Sequence, residues 1–114
     1  MHNLFRDIIA IPGVRGVLLI SFKGEILYES FQPAGERPSL GRDWHLFLET
    51  LAEINEADLA FADGRLYARR TPLGFLIIVS SQFAQSAMIR LHCDILLPEL
   101  AKAKIKKKKR FFRR

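Results

Sequence analysis

The sequence predicts an α+β fold, in which a five-stranded, mainly antiparallel sheet carries helices on both faces. Two observations predict the strands. Apolar, β-branched segments flank a turn at Gly24 and a second turn at Asp63-Gly64, and residues 74–81 are almost wholly apolar. A third observation predicts the helices, because apolar residues recur at helical spacing in three other segments. The predicted order is helix, two strands, helix, three strands, helix.

The first helix is predicted over residues 3–11, with Asn3 as its N-cap. It ends before Pro12, because a proline disfavours the helical conformation in the residue that precedes it. The first hairpin then has strands at 14–21 and 25–31.

The central helix is predicted over residues 40–56, where an apolar row includes Trp44, Leu48 and Leu51. Most polar side chains of this segment fall on the opposite side of the helix. Four of them are predicted to form an exposed polar surface: Arg42, Asp43, His45 and Glu49.

The second hairpin begins with a strand at 57–62, and the apolar strand 74–81 is predicted to be central in the sheet. The last helix starts near Ala84 and should be kinked or ended near Leu97 by Pro98. Its apolar residues form two neighbouring rows, which are Met88, Leu91 and Ile95, and Ile89, Cys93, Leu96 and Leu100. The first and last helices should share one face of the sheet, with the central helix on the other.

The charge of the chain is divided unevenly between a body and a tail. Residues 102–114 hold nine of the 18 Lys and Arg residues and no acidic residue. Residues 1–101 therefore have nine basic against 12 acidic residues, a net charge of −3, within a total of +6. We predict one domain over residues 1–101 and a basic tail over 102–114.

The side chains offer no convincing catalytic or metal site. The three histidines, His2, His45 and His92, lie in three different predicted elements, and a metal site would need them brought together with a fourth ligand. Cys93 is the only cysteine, so no internal disulfide can form, and we interpret it as a small buried apolar residue. We therefore expect no enzyme activity, no cofactor and a cytoplasmic location.

The segments "IPGVRGVLLISFKGEILYE" (11–29) and "DGRLYARRTPLGFLIIVSS" (63–81), one on each side of the central helix, resemble the roadblock family. That family comprises the roadblock-type dynein light chains and their bacterial and archaeal relatives. The resemblance covers about residues 2–101 and rests on patterns of apolar residues and glycine. Lys23 departs from it, because the family pattern often has Asp before the first-turn glycine.

The resemblance implies a roadblock/profilin-like fold and a non-enzymatic protein that forms homo- or heterodimers. Such proteins serve as platforms for Ras-like small GTPases or as adaptors in larger assemblies. In the family the third strand is an edge that pairs with its counterpart, and the two central helices lie side by side across the seam. The residues expected at this interface are Trp44, Leu48, Asp58, Leu59, Ala60, Phe61 and Ala62.

The physical chemistry of the third strand also favours a dimer, because "ADLAFA" (57–62) has no proline or lysine to protect an exposed edge. A partner protein would then meet the polar surface of the central helix. The main hypothesis is therefore a dimeric scaffold or regulator of a Ras-like small GTPase. A small-ligand sensor is a distant third hypothesis, after the tail described next.

The tail gives an alternative function, in which a dimeric adaptor binds an anionic membrane or nucleic acid. In that case the protein would lie peripherally at the inner membrane surface or on nucleic acid. A solvated tail without a dedicated ligand is favoured over either of these binding modes taken singly. The basic residues concerned are Lys106, Lys107, Lys108, Lys109, Arg110, Arg113 and Arg114.

Overall fold

The computed structural model describes residues 2–31, 49–50, 52–61 and 64–112, with side chains described except at 2, 3, 61 and 103–112. Two helices and five strands lie in these ranges, and they confirm the predicted fold class. They are α1 (His2–Ile9), β1 (Val14–Ile20), β2 (Ile26–Phe31), β3 (Glu56–Phe61), β4 (Gly64–Arg70), β5 (Phe75–Ser80) and α2 (Ser86–Phe112).

The five strands form one antiparallel sheet in the order β2-β1-β5-β4-β3. The two hairpins supply the outer pairs, and β5 lies between β1 and β4. This central position explains why the sequence of β5 is nearly all apolar, since both of its faces are covered. The edges of the sheet are β2 and β3.

One face of the sheet is covered by α1 and α2 together, as the sequence predicts. Phe5 and Ile8 of α1 are almost fully buried there, and the ring of Phe5 stacks on Tyr28 of β2 at 4.6 Å. The α2 residues in this core are Ile89, Cys93, Leu96 and Leu100, and the strand residues are Val17, Leu19, Tyr67, Leu76 and Ile78.

The opposite face has its own buried apolar cluster, formed by Leu18, Ile20, Leu66, Ala68, Phe75 and Ile77. Residues 49, 50 and 52 are helical. The guanidinium of Arg70, which shares this face with Leu66 and Ala68, donates a hydrogen bond of 2.7 Å to the Ala52 carbonyl. The described part of the central helix therefore lies on the predicted face.

Three predicted helix boundaries are wrong, and one of them is the end of α1, which lies at Ile9 and not at residue 11. The central helix does not reach residue 56, because Glu53 is a turn, Ile54 and Asn55 are not helical, and β3 begins at Glu56. The Asn55 carbonyl accepts the backbone N–H of Arg70 at 2.8 Å, so sheet pairing has already begun there. At the N-terminus, α1 begins at His2, so Asn3 lies inside the helix and cannot be its N-cap.

Of the two outcomes predicted for Pro98, the end of the helix is wrong, since α2 continues past it to Phe112. Proline removes one helical hydrogen bond, but Pro98 lies on the exposed side, where water can solvate the freed carbonyl. Leu96 and Leu100 are both buried against the sheet, so packing holds the helix on either side of the proline. Within the residues that the structure covers, no helix combines the length and the apolar character that crossing a bilayer would require.

Candidate interaction surfaces

The outer edge of β3 has no strand partner among the described residues, and its backbone groups alternate in direction. The hydrogen bond between Asn55 and Arg70 marks a bonded pair of the β3–β4 ladder, and the pairs alternate from there. Ala57 and Leu59 therefore bond to β4, whereas the N–H and C=O groups of Asp58 and Ala60 point away from the sheet. An extended segment could add to these outward groups.

The structure places the predicted interface residues as follows. Asp58, Leu59 and Ala60 are exposed on β3, and Phe61 is its last residue. The other three, Trp44, Leu48 and Ala62, lie outside the described residues. The role of these positions as a dimer interface stays a prediction.

Acidic side chains on an edge strand normally discourage pairing, but those of β3 are already neutralised by arginines of the same chain. Arg65 donates to the Asp58 carboxylate at 2.7 Å. Arg90 of α2 donates to the Glu56 carboxylate at 3.1 Å, and Arg69 lies 3.6 Å from the same oxygen. Because these charges are compensated, they do not protect the edge in the way that free charges would.

A polar network behind this edge ties β3 and β4 to α2. The Tyr67 hydroxyl donates to Glu56 at 2.5 Å and accepts from Arg69 at 3.1 Å. Arg69 also forms an ion pair of 2.5 Å with Asp94 of α2. The sequence does not predict this network, because its residues are separated by up to 38 positions. The available signal was the pair of acidic residues at alternate positions of β3, together with the arginines of β4.

Burial suppresses the ionisation of Tyr67, which belongs to this network, and of Cys93 next to it. Burial, supported by the hydrogen bond to Glu56, raises the pKa of Tyr67 to about 12 from 10.0. Burial likewise raises the pKa of Cys93 to about 12 from 9.0. The thiol is fully buried, which confirms the prediction of a small apolar core residue and leaves it unreactive near neutral pH.

These two pKa values predict a loss of stability at high pH. The unfolded chain releases both protons near pH 9 to 10, whereas the folded chain keeps them until about pH 12, so stability is full below pH 9 and falls as pH rises to 12. The fall approaches about 1.4 kcal/mol per pH unit for each group. Urea unfolding at pH 8 to 11 measures it. A Tyr67→Phe/Cys93→Ala variant should show a flatter profile, and an unchanged slope would contradict the assignment.

A groove lies beside the described part of the central helix. It has a volume of about 320 Å³ and is lined by Phe22, Lys23, Gly24, Glu49, Ala52, Arg70 and Phe75. The ring of Phe22 is 50% exposed, meets Phe75 edge-on at 5.2 Å and lies 5.1 Å from the guanidinium carbon of Arg70. Phe22 and Arg70 were not among the predicted site residues, although an aromatic residue in a hairpin turn was a usable signal.

The predicted polar surface of the central helix is described at one position. Glu49 is exposed and lines the groove. Arg42, Asp43 and His45 lie outside the described residues. Glu49 is thereby joined to an exposed aromatic ring and to two cationic side chains, Lys23 in the first hairpin turn and Arg70 at the end of β4.

The basic tail begins within α2. The backbone is helical through Phe112, and Lys102 is exposed and pairs with Glu99 at 3.3 Å. Lys106, Lys107, Lys108, Lys109 and Arg110 belong to this helix, whereas Arg113 and Arg114 lie outside the described residues. The boundary between domain and tail stays a prediction.

Among the residues with a described position, no three His, Cys, Asp or Glu side chains are grouped to hold a metal ion. What these residues do assemble is an open strand edge and a groove with an exposed ring. A five-stranded antiparallel sheet with helices on both faces and β3 at one edge defines a class of α+β fold.

Within that class, the chain has the roadblock fold. It resembles MglB of Myxococcus xanthus, with a TM-score of 0.68 and 15% identity over 91% of this chain and 84% of that one. It also resembles a structure described as MglB with tetrameric arrangement, with a TM-score of 0.66 and 20% identity over 89% and 82%. A Roadblock/LC7 domain from Streptomyces avermitilis gives a TM-score of 0.62 and 14% identity over 92% and 94%.

Comparison at the level of sequence gives no further relative. No protein-family model matches the chain, and no curated protein matches it. The similarity to known proteins therefore lies in the fold, which the apolar pattern encodes without close sequence identity.

Proposed function

We propose that this protein is a non-enzymatic, dimeric scaffold that binds or positions a Ras-like small GTPase in the cytoplasm. The observation that carries the proposal is the roadblock fold with β3 at an open sheet edge. The resemblance of the sequence to roadblock proteins, which act as platforms for such GTPases, supplies the partner class. The tetrameric arrangement of an MglB structure supports self-association in this fold.

The dimer in this proposal pairs β3 with β3 of a second copy to give a ten-stranded sheet. The outward backbone groups of Asp58 and Ala60 would supply the hydrogen bonds of the new ladder. The internal ion pairs of Glu56 and Asp58 let the two acidic strands approach without a large repulsion. Each dimer then presents two copies of the groove beside Glu49.

The GTPase in this proposal contacts the central-helix side of the dimer, including the groove. Exposed aromatic rings are frequent anchors in protein interfaces, and Phe22 is the exposed ring of this groove. Glu49 and Arg70 place a negative and a positive charge next to the Phe22 ring. Such charges would contribute more to the orientation of a polar partner than to its affinity.

A paired substitution tests this surface once a GTPase of the native host has been purified. Phe22→Ala and Glu49→Lys should each weaken binding about tenfold, the equivalent of about 1.4 kcal/mol. Asp7→Lys is the matched control for Glu49→Lys, because Asp7 is an exposed residue of α1 on the opposite face. Isothermal titration calorimetry gives the dissociation constants. Equal affinities for all three variants and the wild type would place the GTPase elsewhere.

The tail gives a second prediction, which also tests the alternative adaptor function. Deleting residues 102–114 should change the melting temperature by less than about 3 °C, because Leu100 is the last buried residue described on α2. The isoelectric point should fall sharply, since residues 1–101 have a net charge of −3. Calorimetry and isoelectric focusing measure the two effects.

The same deletion separates the functions. If the full-length protein binds phosphatidylserine vesicles or an oligonucleotide, that binding should disappear with the tail, whereas GTPase binding should persist. A large loss of melting temperature would show instead that residues 102–114 contribute to the folded domain.

A further inference from the structure

The side chains of β3 differ in chemistry between the two faces of the sheet. Asp58 and Ala60 lie on the face that α2 covers, where Arg65 donates to the Asp58 carboxylate at 2.7 Å. Leu59 lies on the opposite face, where it pairs with Leu66 of the buried cluster. Leu59 is nevertheless 39% exposed, because β3 is at the edge of the sheet. The edge therefore has charges on one face and a partly uncovered leucine on the other.

The direction of the backbone groups limits how β3 can pair with β3 of a second copy. A two-fold axis perpendicular to the sheet makes the pairing antiparallel and keeps the helical layers on the same faces. The outward groups of Asp58 and Ala60 must form the new bonded pairs, so the axis passes through a residue and not between two. Within Glu56–Phe61, an axis at residue 58 pairs residues 56–60 and an axis at residue 59 pairs residues 57–61. An axis at residue 57 or 60 pairs three residues and gives a shorter ladder.

Charge separates the two longer registers. With residue 58 on the axis, Asp58 lies directly opposite Asp58 of the partner subunit, with the Cα atoms about 5.5 Å apart. With residue 59 on the axis, Asp58 lies opposite Ala60 of the partner subunit, and the two Asp58 Cα atoms are about 9 Å apart. Like charges directly opposite each other destabilise a pair of strands. The register with residue 59 on the axis is therefore favoured.

The favoured register also brings a second arginine to each Asp58. Ala60 pairs with Arg65, so the row across the seam is Arg65, Ala60 and Asp58 of the partner subunit. Arg65 bonds to Asp58 of its own chain through Nη2, and its side chain is 30% exposed. Because the alanine side chain is short, the guanidinium can extend across it to the second carboxylate. Two arginines and two aspartates then alternate around the axis in charge-assisted contacts.

The opposite face of the sheet favours the same register. Leu59 then meets Leu59 of the partner subunit in a non-bonded pair, the kind in which facing side chains are closest. Since each Leu59 also pairs with Leu66, four leucines form a continuous row across the seam. With residue 58 on the axis, Leu59 would face the smaller Ala57 of the partner subunit and would be covered less.

We propose that β3 pairs with β3 of a second copy in the register that places Leu59 on the two-fold axis, with Arg65 of each copy bound to Asp58 of the other. This inference rests on the dimer of the proposed function and names the residues that determine self-recognition. The residue on the axis is the one position of β3 that faces itself. Its side chain therefore decides whether the chain accepts an identical partner.

Cysteine crosslinking tests the register. Leu59→Cys should give a disulfide-linked dimer in mild oxidant, because the two Cα atoms are about 4.5 Å apart and within the range of a disulfide. Asp58→Cys and Ala60→Cys are the matched controls, since each of these positions is about 9 Å from its own copy, beyond the limit of about 7 Å. The native Cys93 is fully buried and does not compete.

Charged substitutions at residue 59 test self-recognition without oxidation. Leu59→Lys and Leu59→Glu should each weaken the dimer at least tenfold, because like charges then face each other on the axis. An equimolar mixture of the two should recover association as a heterodimer. Leu59→Gln is the control of similar size, and it should weaken the dimer less than Leu59→Glu does. Sedimentation velocity of the separate variants and of the mixture measures these effects.

The mass of the wild type distinguishes a wrong register from a wrong function. If the wild type stays at 13.1 kDa at every concentration, the dimer of the proposed function fails and this register fails with it. If the wild type is a dimer that crosslinks at residue 58 or 60, or at none of the three positions, the register alone is wrong. The same holds if the lysine and glutamate variants of residue 59 gain nothing on mixing.

Discussion

Replacing Ala60 with proline is expected to convert a dimer of this chain into folded monomers of 13.1 kDa. The N–H of Ala60 points away from β4, so the substitution removes a bond of the proposed intermolecular ladder and leaves the β3–β4 ladder intact. Phe61→Lys should act in the same direction by adding a charge at the seam. Sedimentation at micromolar concentration gives the mass, and circular dichroism gives the melting temperature.

Leu59→Pro provides the contrast for this experiment. Its N–H belongs to a bonded pair with β4, so proline there should lower the melting temperature of the folded chain as well as its mass. The two substitutions lie one residue apart. The N–H group that is lost at residue 59 points toward β4, whereas the one that is lost at residue 60 points away from it. If Ala60→Pro and Phe61→Lys both remain dimeric, the seam does not lie on β3.

Replacing Gly74 with alanine is expected to lower the free energy of unfolding by more than about 3 kcal/mol. Gly74 has φ of +151°, and a Cβ atom there would lie 2.0 Å from the carbonyl oxygen of Ile20. The turn cannot relax easily, because the buried Thr71 hydroxyl accepts the N–H of Gly74 at 3.2 Å and donates to its carbonyl at 2.8 Å. Urea denaturation measures the effect.

Gly24→Ala is the matched control, since this glycine also has a positive φ, +93°, but an added Cβ atom would meet nothing within 4 Å. It should cost only the backbone strain, about 1–2 kcal/mol. Equal losses at the two glycines would show that the backbone angle, and not the contact with Ile20, limits residue 74.

The elements of the fold could be predicted because each has a strong local signal. The apolar run of β5, the glycine turn at Gly24 and the Asp63-Gly64 turn all lie within a few residues of the structure they specify. The end of the central helix and the passage of α2 through Pro98 could not be predicted in this way. Both depend on packing with distant residues, such as the contact of Arg70 with Asn55 and the burial of Leu100.

The candidate surfaces were predicted less completely for the same reason. The edge position of β3 was implied by the resemblance to the roadblock family, and the sheet confirms it. The groove at Phe22 joins a hairpin turn, a strand end and the central helix, and no spacing in the sequence connects them. The apolar rows of α2 were visible in the sequence, but only burial shows which of the two is free.

The position of β1 in the sheet has a consequence for how fast the chain folds. β1 pairs with β5, so Val14 lies opposite Ser80 and Ile20 opposite Phe75. Pairing β1 with β5 requires the chain to order a loop of more than 50 residues. This entropy cost arises before any contact between the two strands can offset it. The two hairpins are local and can form early, whereas joining them is the slow step. β5 follows β4 through the short turn 71–74, so until β1 and β5 pair, these two strands are themselves unpaired apolar edges. A nascent or refolding chain is therefore expected to aggregate through strand edges that the native protein covers.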